Sequence, residues 1–406
     1  MKSVLAIAAA TLALYYCGYT QAAALALIAA ITIAAIQRHR RQQLFHHRLS
    51  ALTSAASPHA DFRDGSSFLL PSGRSLGYKS YGASASDCKR TLIYLHGTPG
   101  SRHEVFPDEG LLTQRGIRLI AVDRTGFGRS SSDAARTRES QAQDIADFVT
   151  SLNLPPRSLS LMGFSGGGAY CLACVNHPKL ASEVVSATII AGEGPFVEYP
   201  PELHAALRHD SPLLWLSGPL LLRTGPIGRA VMRMWFRREM ESVVLDAHTF
   251  VKDKYGKRFL PPKVAKHNAT NSKQESGGLS AAAEEEAAWR DSEPGRLHAM
   301  ILRNAHSVWV EPGLSGGCGV ESGLHDMVVA KTAWRFRLED VGSSTHFAFW
   351  HGIKDNLRSH AVSSYMSGRM RSAKSTRVHL LPNQGHALFL RRDNWIQMLD
   401  ELMRFE

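Results

Sequence analysis

The chain has 406 residues, 44% hydrophobic and 20% charged, enough for one large α/β domain with appendages or for two modest domains. Its five cysteines, Cys17, Cys88, Cys171, Cys174 and Cys318, are odd in number and scattered, which is no disulfide framework. The formal net charge of +11 comes with no recognisable nucleic-acid motif; much of the excess sits in Arg38, Arg40, Arg41 and Arg48 and in Arg233, Arg237 and Arg238, a pattern that fits a membrane surface better than a nucleic-acid partner.

Residues 4–36 are almost wholly apolar, with Lys2 in front, an Arg/His cluster behind, and Gly18, Thr20 and Gln21 as interruptions. A spanning helix needs about 20 apolar residues, so residues 1–36 read as an uncleaved, single-pass membrane anchor. A cleaved secretory signal is the alternative, ending near Ala22 to Ala24; cleavage there would leave a new apolar N-terminus. The arginines follow the apolar run, so the positive-inside rule puts the rest of the chain in the cytoplasm. The cleaved-signal alternative puts it in the secretory pathway.

Residues 37–60 read as a basic linker. Phe68 to Leu70 and Leu76 to Tyr81 flank a turn at Pro71-Ser72-Gly73-Arg74 and predict a hairpin. Short apolar strands then alternate with helices. The strands are expected at Thr91 to Leu95, Ile117 to Val122, Ser158 to Met162 and Ser186 to Ala191, with an amphipathic helix at Glu139 to Leu152. Cys171 and Cys174 fall on a predicted helix without a second ligand pair, so they read as buried helix cysteines rather than a metal site. The rhythm breaks over 194–342. There Pro200-Pro201, Leu213 to Leu222 and Val231 to Phe236 are helix-like and apolar, and 268–296 is poor in apolar residues. This reads as a helical insertion that splits the core into 61–193 and 343–406. Two more strands, His346 to Trp350 and Arg377 to Leu381, and a closing helix at Asn394 to Arg404 complete it. Alternating strands and helices imply a mostly parallel sheet with helices on both faces.

Gly163-Phe164-Ser165-Gly166-Gly167 reads G-x-S-x-G between a strand and a helix. That context marks a nucleophile elbow, a sharp turn that exposes a serine hydroxyl. Such a hydroxyl needs a base to take its proton and N–H donors to receive an oxyanion. Asp355 stands just beyond one late strand, in Trp350-His351-Gly352-Ile353-Lys354-Asp355. His386 stands just beyond the next, in Asn383-Gln384-Gly385-His386. In this triad Ser165 attacks, His386 carries the proton, and Asp355 orients and stabilises the imidazole. Upstream, His96-Gly97-Thr98-Pro99-Gly100 follows a strand. That turn can aim the Thr98 N–H at the same point as the Gly166 N–H, a two-donor oxyanion hole.

Together, 96–102 (HGTPGSR), 123–130 (DRTGFGRS), 163–168 (GFSGGG), 352–355 and 385–386 resemble the α/β-hydrolase superfamily in its H-G-x-P-G branch. The likeness covers about 65–195 and 340–406. It implies an eight-stranded, mostly parallel sheet, a helical cap over the active site, and cofactor-free, metal-free hydrolysis, most often of esters. It also implies that the 123–130 loop shapes the pocket rim, which makes Asp123 structural. The family sometimes takes its acid from an earlier strand, so Glu193 is the alternative acid. Epoxide hydrolases and haloalkane dehalogenases share the entrance motif but use an aspartate nucleophile, against which Ser165 argues.

Three readings stand. The first is a membrane-anchored serine hydrolase that cleaves carboxylic esters of an apolar small molecule through an acyl-enzyme. The second is an aminopeptidase of the proline-releasing type, which needs an acidic grip for a free amine. The third is a non-catalytic, membrane-anchored binding protein built on the same fold.

Overall fold

The computed structural model describes residues 65–106, 108–210, 225–245, 292–309 and 319–405, with 29, 32, 36, 37, 39, 40, 43, 215 and 288 as isolated positions. Apart from those positions, the expected anchor over 4–36, the linker over 37–60 and the bulk of the 268–296 segment lie outside the described residues. Among the described residues no helix is long and apolar enough to cross a membrane. The chain divides into two compact units, Met1–Ala60 and Asp61–Glu406, and the elements that follow all belong to the second.

That unit is built on one eight-stranded sheet. In chain order it contains β1 (Ser66–Leu69), β2 (Ser75–Gly82), β3 (Arg90–Leu95), α1 (Glu109–Gln114), β4 (Ile117–Val122), α2 (Arg138–Ser151), β5 (Leu159–Phe164), α3 (Gly166–Asn176) and β6 (Val184–Ile190). Then come α4 (Pro201–Asp210), α5 (Gly225–Leu245), α6 (Glu293–Trp309), α7 (Gly319–Ala330), β7 (His346–Gly352), α8 (Ala361–Arg369), β8 (Ser375–Leu381) and α9 (Arg392–Leu402). The strand order is β1-β2-β4-β3-β5-β6-β7-β8. β1 and β2 are antiparallel to their neighbours, and every other pair is parallel.

The period-2 alternation of the strands decides which helices they carry. In β3, Ile93 and Leu95 join one core with Ala142 and Ile145 of α2, Leu172 of α3 and Met366 of α8. Leu92 and Tyr94 point to the other face and pack with Leu112 of α1 and Trp395 and Leu399 of α9. Both faces are therefore covered, and the central strands β3, β5 and β6 are buried along their whole length. A Thr137 side chain closes a capping box with Ser140 at the start of α2.

Between β6 and β7 the chain leaves the sheet and forms α4 to α7. Met232 and Phe236 of α5, Val308 of α6 and Leu324 and Met327 of α7 make a separate small core. The end of the apolar-poor stretch 268–296 is helical, because 293–296 open α6, and the next residue, Leu297, is fully buried. Helices α1 and α8 are shorter than the periodicity signal resolves, so they have no counterpart among the sequence expectations.

Candidate active site

β5 delivers Ser165 to the C-terminal edge of the sheet, and α3 begins at the next residue. Ser165 has φ 51°, a left-handed backbone that a non-glycine residue adopts only when its surroundings force it. The forcing contacts are visible. The Ser165 N–H donates to the Ile190 carbonyl at 2.8 Å, and the Ser165 carbonyl accepts from Gly168 at 3.0 Å and Glu193 at 3.2 Å. A Cβ at Gly167 would run into the Leu95 carbonyl, and one at Gly166 would lie 2.5 Å from Thr98 Oγ1. The turn is this tight only because those two positions carry no side chain.

β7 delivers Asp355 and β8 delivers His386. Their loops are tied by backbone: Lys354 N–H donates to the Gln384 carbonyl at 2.9 Å, and a Cβ at Gly352 would strike that same carbonyl. His386 Nδ1 lies 2.7 Å from Asp355 Oδ2, and His386 Nε2 lies 2.9 Å from Ser165 Oγ. An ionised carboxylate only accepts, so the imidazole proton sits on Nδ1 and leaves Nε2 to accept from the Ser165 hydroxyl. The structure thus brings Ser165, His386 and Asp355 into one hydrogen-bonded chain.

Asp355 is fully buried as a side chain and every lone pair is used. Oδ1 accepts from the Leu357 and Arg358 N–H groups at 2.8 and 2.9 Å, and Oδ2 accepts from His351 Nε2 at 3.0 Å besides His386. Burial alone would raise the Asp355 carboxyl, but the hydrogen bonds from His351 and His386 outweigh it and hold the group well below the usual carboxylate range. For His386, burial lowers the imidazole below 6.5 despite the opposing hydrogen bond and charge of Asp355. The ring packs against Phe164, with centroids 5.0 Å apart.

Glu193, the alternative acid, does not meet His386. Both of its carboxylate oxygens lie 3.3 Å from an Arg358 guanidinium nitrogen. Thr98 lies against Gly166, and its side chain is fully engaged: Oγ1 donates to Asp326 Oδ2 at 2.7 Å and accepts from Arg124 at 2.8 Å. Gly166 opens α3, so its N–H has no acceptor within that helix. Glu104 holds the same turn from below by accepting the Gly97 N–H at 2.5 Å; burial pushes this carboxyl up to about 8. His96 accepts from Arg124 N–H through Nε2 at 2.9 Å, which leaves Nδ1 to donate to the Gly97 carbonyl at 2.7 Å. Asp123 pairs with Arg102 at 2.7 Å and accepts the Arg129 N–H at 2.9 Å, so it braces its loop.

Two groups of site residues are absent from the sequence expectations. His351 immediately precedes Gly352 and stands four residues before Asp355; an i,i+4 His–Asp pair at a strand end is a legible signal for it. Asp326 of α7 reaches the site from the insertion. It takes Thr98, Arg124 at 2.6 Å, Arg136 at 2.9 Å and Tyr170 at 3.0 Å, and the two arginines hold it well below the usual carboxylate range although burial opposes them. Nothing in its sequence neighbourhood distinguishes it. Cys171 and Cys174 lie buried inside α3, and burial raises both thiols. Among the described residues no group of three His, Cys, Asp or Glu side chains is placed to hold a metal ion.

Residues 92–397 match the model of a family described as "Alpha/beta hydrolase family". A proline iminopeptidase of Lactobacillus helveticus is 32% identical over 124 residues; the alignment spans 28% of this chain and 42% of that protein, less than half its length. Among solved structures, an alpha/beta hydrolase fold protein from Nakamurella multipartita is similar with a TM-score of 0.50 at 15% identity, covering 84% of this chain and 99% of that one. A protein described in the same words from Chitinophaga pinensis has a TM-score of 0.50 at 15% identity, with 84% and 97% covered.

Proposed function

The chain belongs to the alpha/beta hydrolase family, and from that premise we propose that it is a serine hydrolase that cleaves carboxylic esters through an acyl-enzyme. The observation that carries this reading is the continuous chain from Ser165 Oγ through His386 to Asp355. Ser165 Oγ attacks the ester carbonyl carbon as His386 Nε2 takes its proton. The Thr98 and Gly166 N–H groups receive the oxyanion, and Asp355 stabilises the imidazolium. Collapse expels the alcohol oxygen, which takes the proton from His386. Water then attacks the acyl-enzyme by the same route, releasing the acid and restoring the serine.

The walls beside the site supply an apolar surface from Phe196, Tyr199, Leu207 and Trp215, which suits an apolar portion of the substrate. The insertion that carries α4 to α7 acts as the cap. Residues 4–36 serve as a membrane anchor, with the domain on the cytoplasmic side, which gives the enzyme access to esters that partition into lipid.

The test is hydrolysis of short-chain 4-nitrophenyl esters and fluorophosphonate labelling by wild type and Ser165→Ala. The variant is expected to lose labelling and to fall by about 10⁴-fold or more in kcat. Equal turnover by the two proteins defeats the reading.

The similarity to a proline iminopeptidase favours a second reading, release of an N-terminal proline. That reaction needs a carboxylate free to hold an α-ammonium group. Glu193, the carboxylate beside the elbow, is engaged by Arg358, which favours ester over aminopeptide. Turnover of proline 4-nitroanilide at a kcat/KM above that of every ester would reverse the order.

A further inference from the structure

Lys331 directly follows α7 and is only 8% exposed. A buried ammonium is costly unless oxygen atoms surround it. Among the described residues Lys331 Nζ makes no hydrogen bond or ion pair, and its contact is the face of Phe196, 3.6 Å from the ring centroid. Its place at a helix end does not account for it. The last turn of α7 is met by Arg138, which donates to the Val329 carbonyl and, at 2.8 Å, to the Thr332 carbonyl.

Lys331 lines a cleft open to solvent, whose walls include Glu193, Arg358, Phe196, Tyr199 and Trp215. Arg358 is the second cation there. Its guanidinium reaches Glu193 only at 3.3 Å, and its buried Nε–H has no acceptor among the described residues. Two cations thus stand beside one carboxylate that only Arg358 engages, and among the described residues both retain donors without an oxygen partner. Burial lowers Lys331 to about 8, Arg358 adds to the lowering, and Glu193 opposes it, so the ammonium is mostly charged at neutral pH.

The cleft adjoins the reacting groups. Glu193 N–H donates to the Ser165 carbonyl at 3.2 Å, and Arg358 N–H donates to Asp355 Oδ1 at 2.9 Å. Neither Ser165 nor His386 lines it, so it can hold a part of the substrate removed from the scissile bond. Its aromatic walls take an apolar segment and its cationic end takes a negative charge. The same excess of positive charge repels a free amine.

We propose that this cleft receives an anionic group, a carboxylate or a phosphate, carried by the ester substrate beyond an apolar segment, with Lys331 and Arg358 as its specificity-determining residues. The proposal rests on the serine-hydrolase reading above and narrows its substrate class.

Three 4-nitrophenyl acyl esters of equal chain length, ending in methyl, carboxylate or phosphonate, test it on the full chain. A Ser165→Ala control separates the two readings: turnover that survives it overturns the hydrolase itself. With Ser165-dependent turnover, wild type is expected to prefer a charged ester over the methyl ester by about tenfold or more in kcat/KM, the scale of one charge-assisted hydrogen bond. The better of the two charged esters identifies the headgroup. Lys331→Met is expected to lower that charged-to-neutral ratio by about tenfold, while Lys331→Arg retains it and keeps the buried charge for folding. A wild-type ratio at or below one overturns the proposal, as does a ratio that Lys331→Met leaves unchanged.

Discussion

At the scale of single residues, the chemistry depends on how much Asp355 is made to hold. Its Oδ2 serves two imidazoles and its Oδ1 two backbone N–H groups. His351 is the second imidazole: its Nε2 faces two acceptors, Asp355 Oδ2 at 3.0 Å and the Arg358 carbonyl at 3.2 Å, which makes Nε2 the donor and leaves Nδ1 to accept from Ser363 Oγ at 2.8 Å. His351→Leu removes one charge-assisted bond and is expected to lower kcat about tenfold or more; steady-state ester kinetics measure it. Asp355→Asn removes the charge that stabilises the imidazolium and is expected to cost about 10⁴-fold in kcat. The pH profile follows from His386. Only its neutral form accepts the serine proton, and its pKa lies below 6.5 because burial dominates. Activity is therefore fully present above 6.5 and is lost as the pH falls through the lowered value. A kcat/KM profile between pH 4 and 8 locates the limb, and a midpoint at or above 7 contradicts this assignment.

At the scale of elements, helix α7 is the piece on which site and insertion meet. Asp326 gathers four donors from β3–α1, β4–α2 and α3 surroundings, namely Thr98, Arg124, Arg136 and Tyr170. Asp326→Ala leaves two buried guanidinium groups uncompensated, and a loss of about 3–5 kcal/mol in stability is expected from urea unfolding. Gly167→Ala forces a methyl against the Leu95 carbonyl, and overpacking of this kind costs about 1–3 kcal/mol; the same unfolding measurement reads it. The sheet was legible in the sequence because its strands are short apolar runs. The predicted span Ile117 to Val122 coincides with β4, and Thr91 to Leu95 misses only the first residue of β3. Ser165, Asp355 and His386 were legible because each follows such a run. Asp326 was not. Its importance comes from long-range pairing with residues about 160 to 230 positions away in sequence, which no local pattern records. Lys331 was equally silent, since a lysine after a helix is ordinary until its burial is known.

At the scale of the whole molecule, every proposed catalytic residue lies in Asp61–Glu406. A chain lacking 1–60 is therefore expected to keep its kcat/KM toward a water-soluble ester within about twofold, while the full chain alone sediments with membranes; fractionation and kinetics of the two chains together check this. The Asp326–Thr98 bond also bears on how such an enzyme diversifies. A cap that merely roofed the pocket could be exchanged between relatives to change substrate choice. Here the insertion proposed as the cap also braces the turn proposed to stabilise the oxyanion, so a chimaera must import an acid at 326 together with its new walls. Substrate range and turnover are then inherited as one trait.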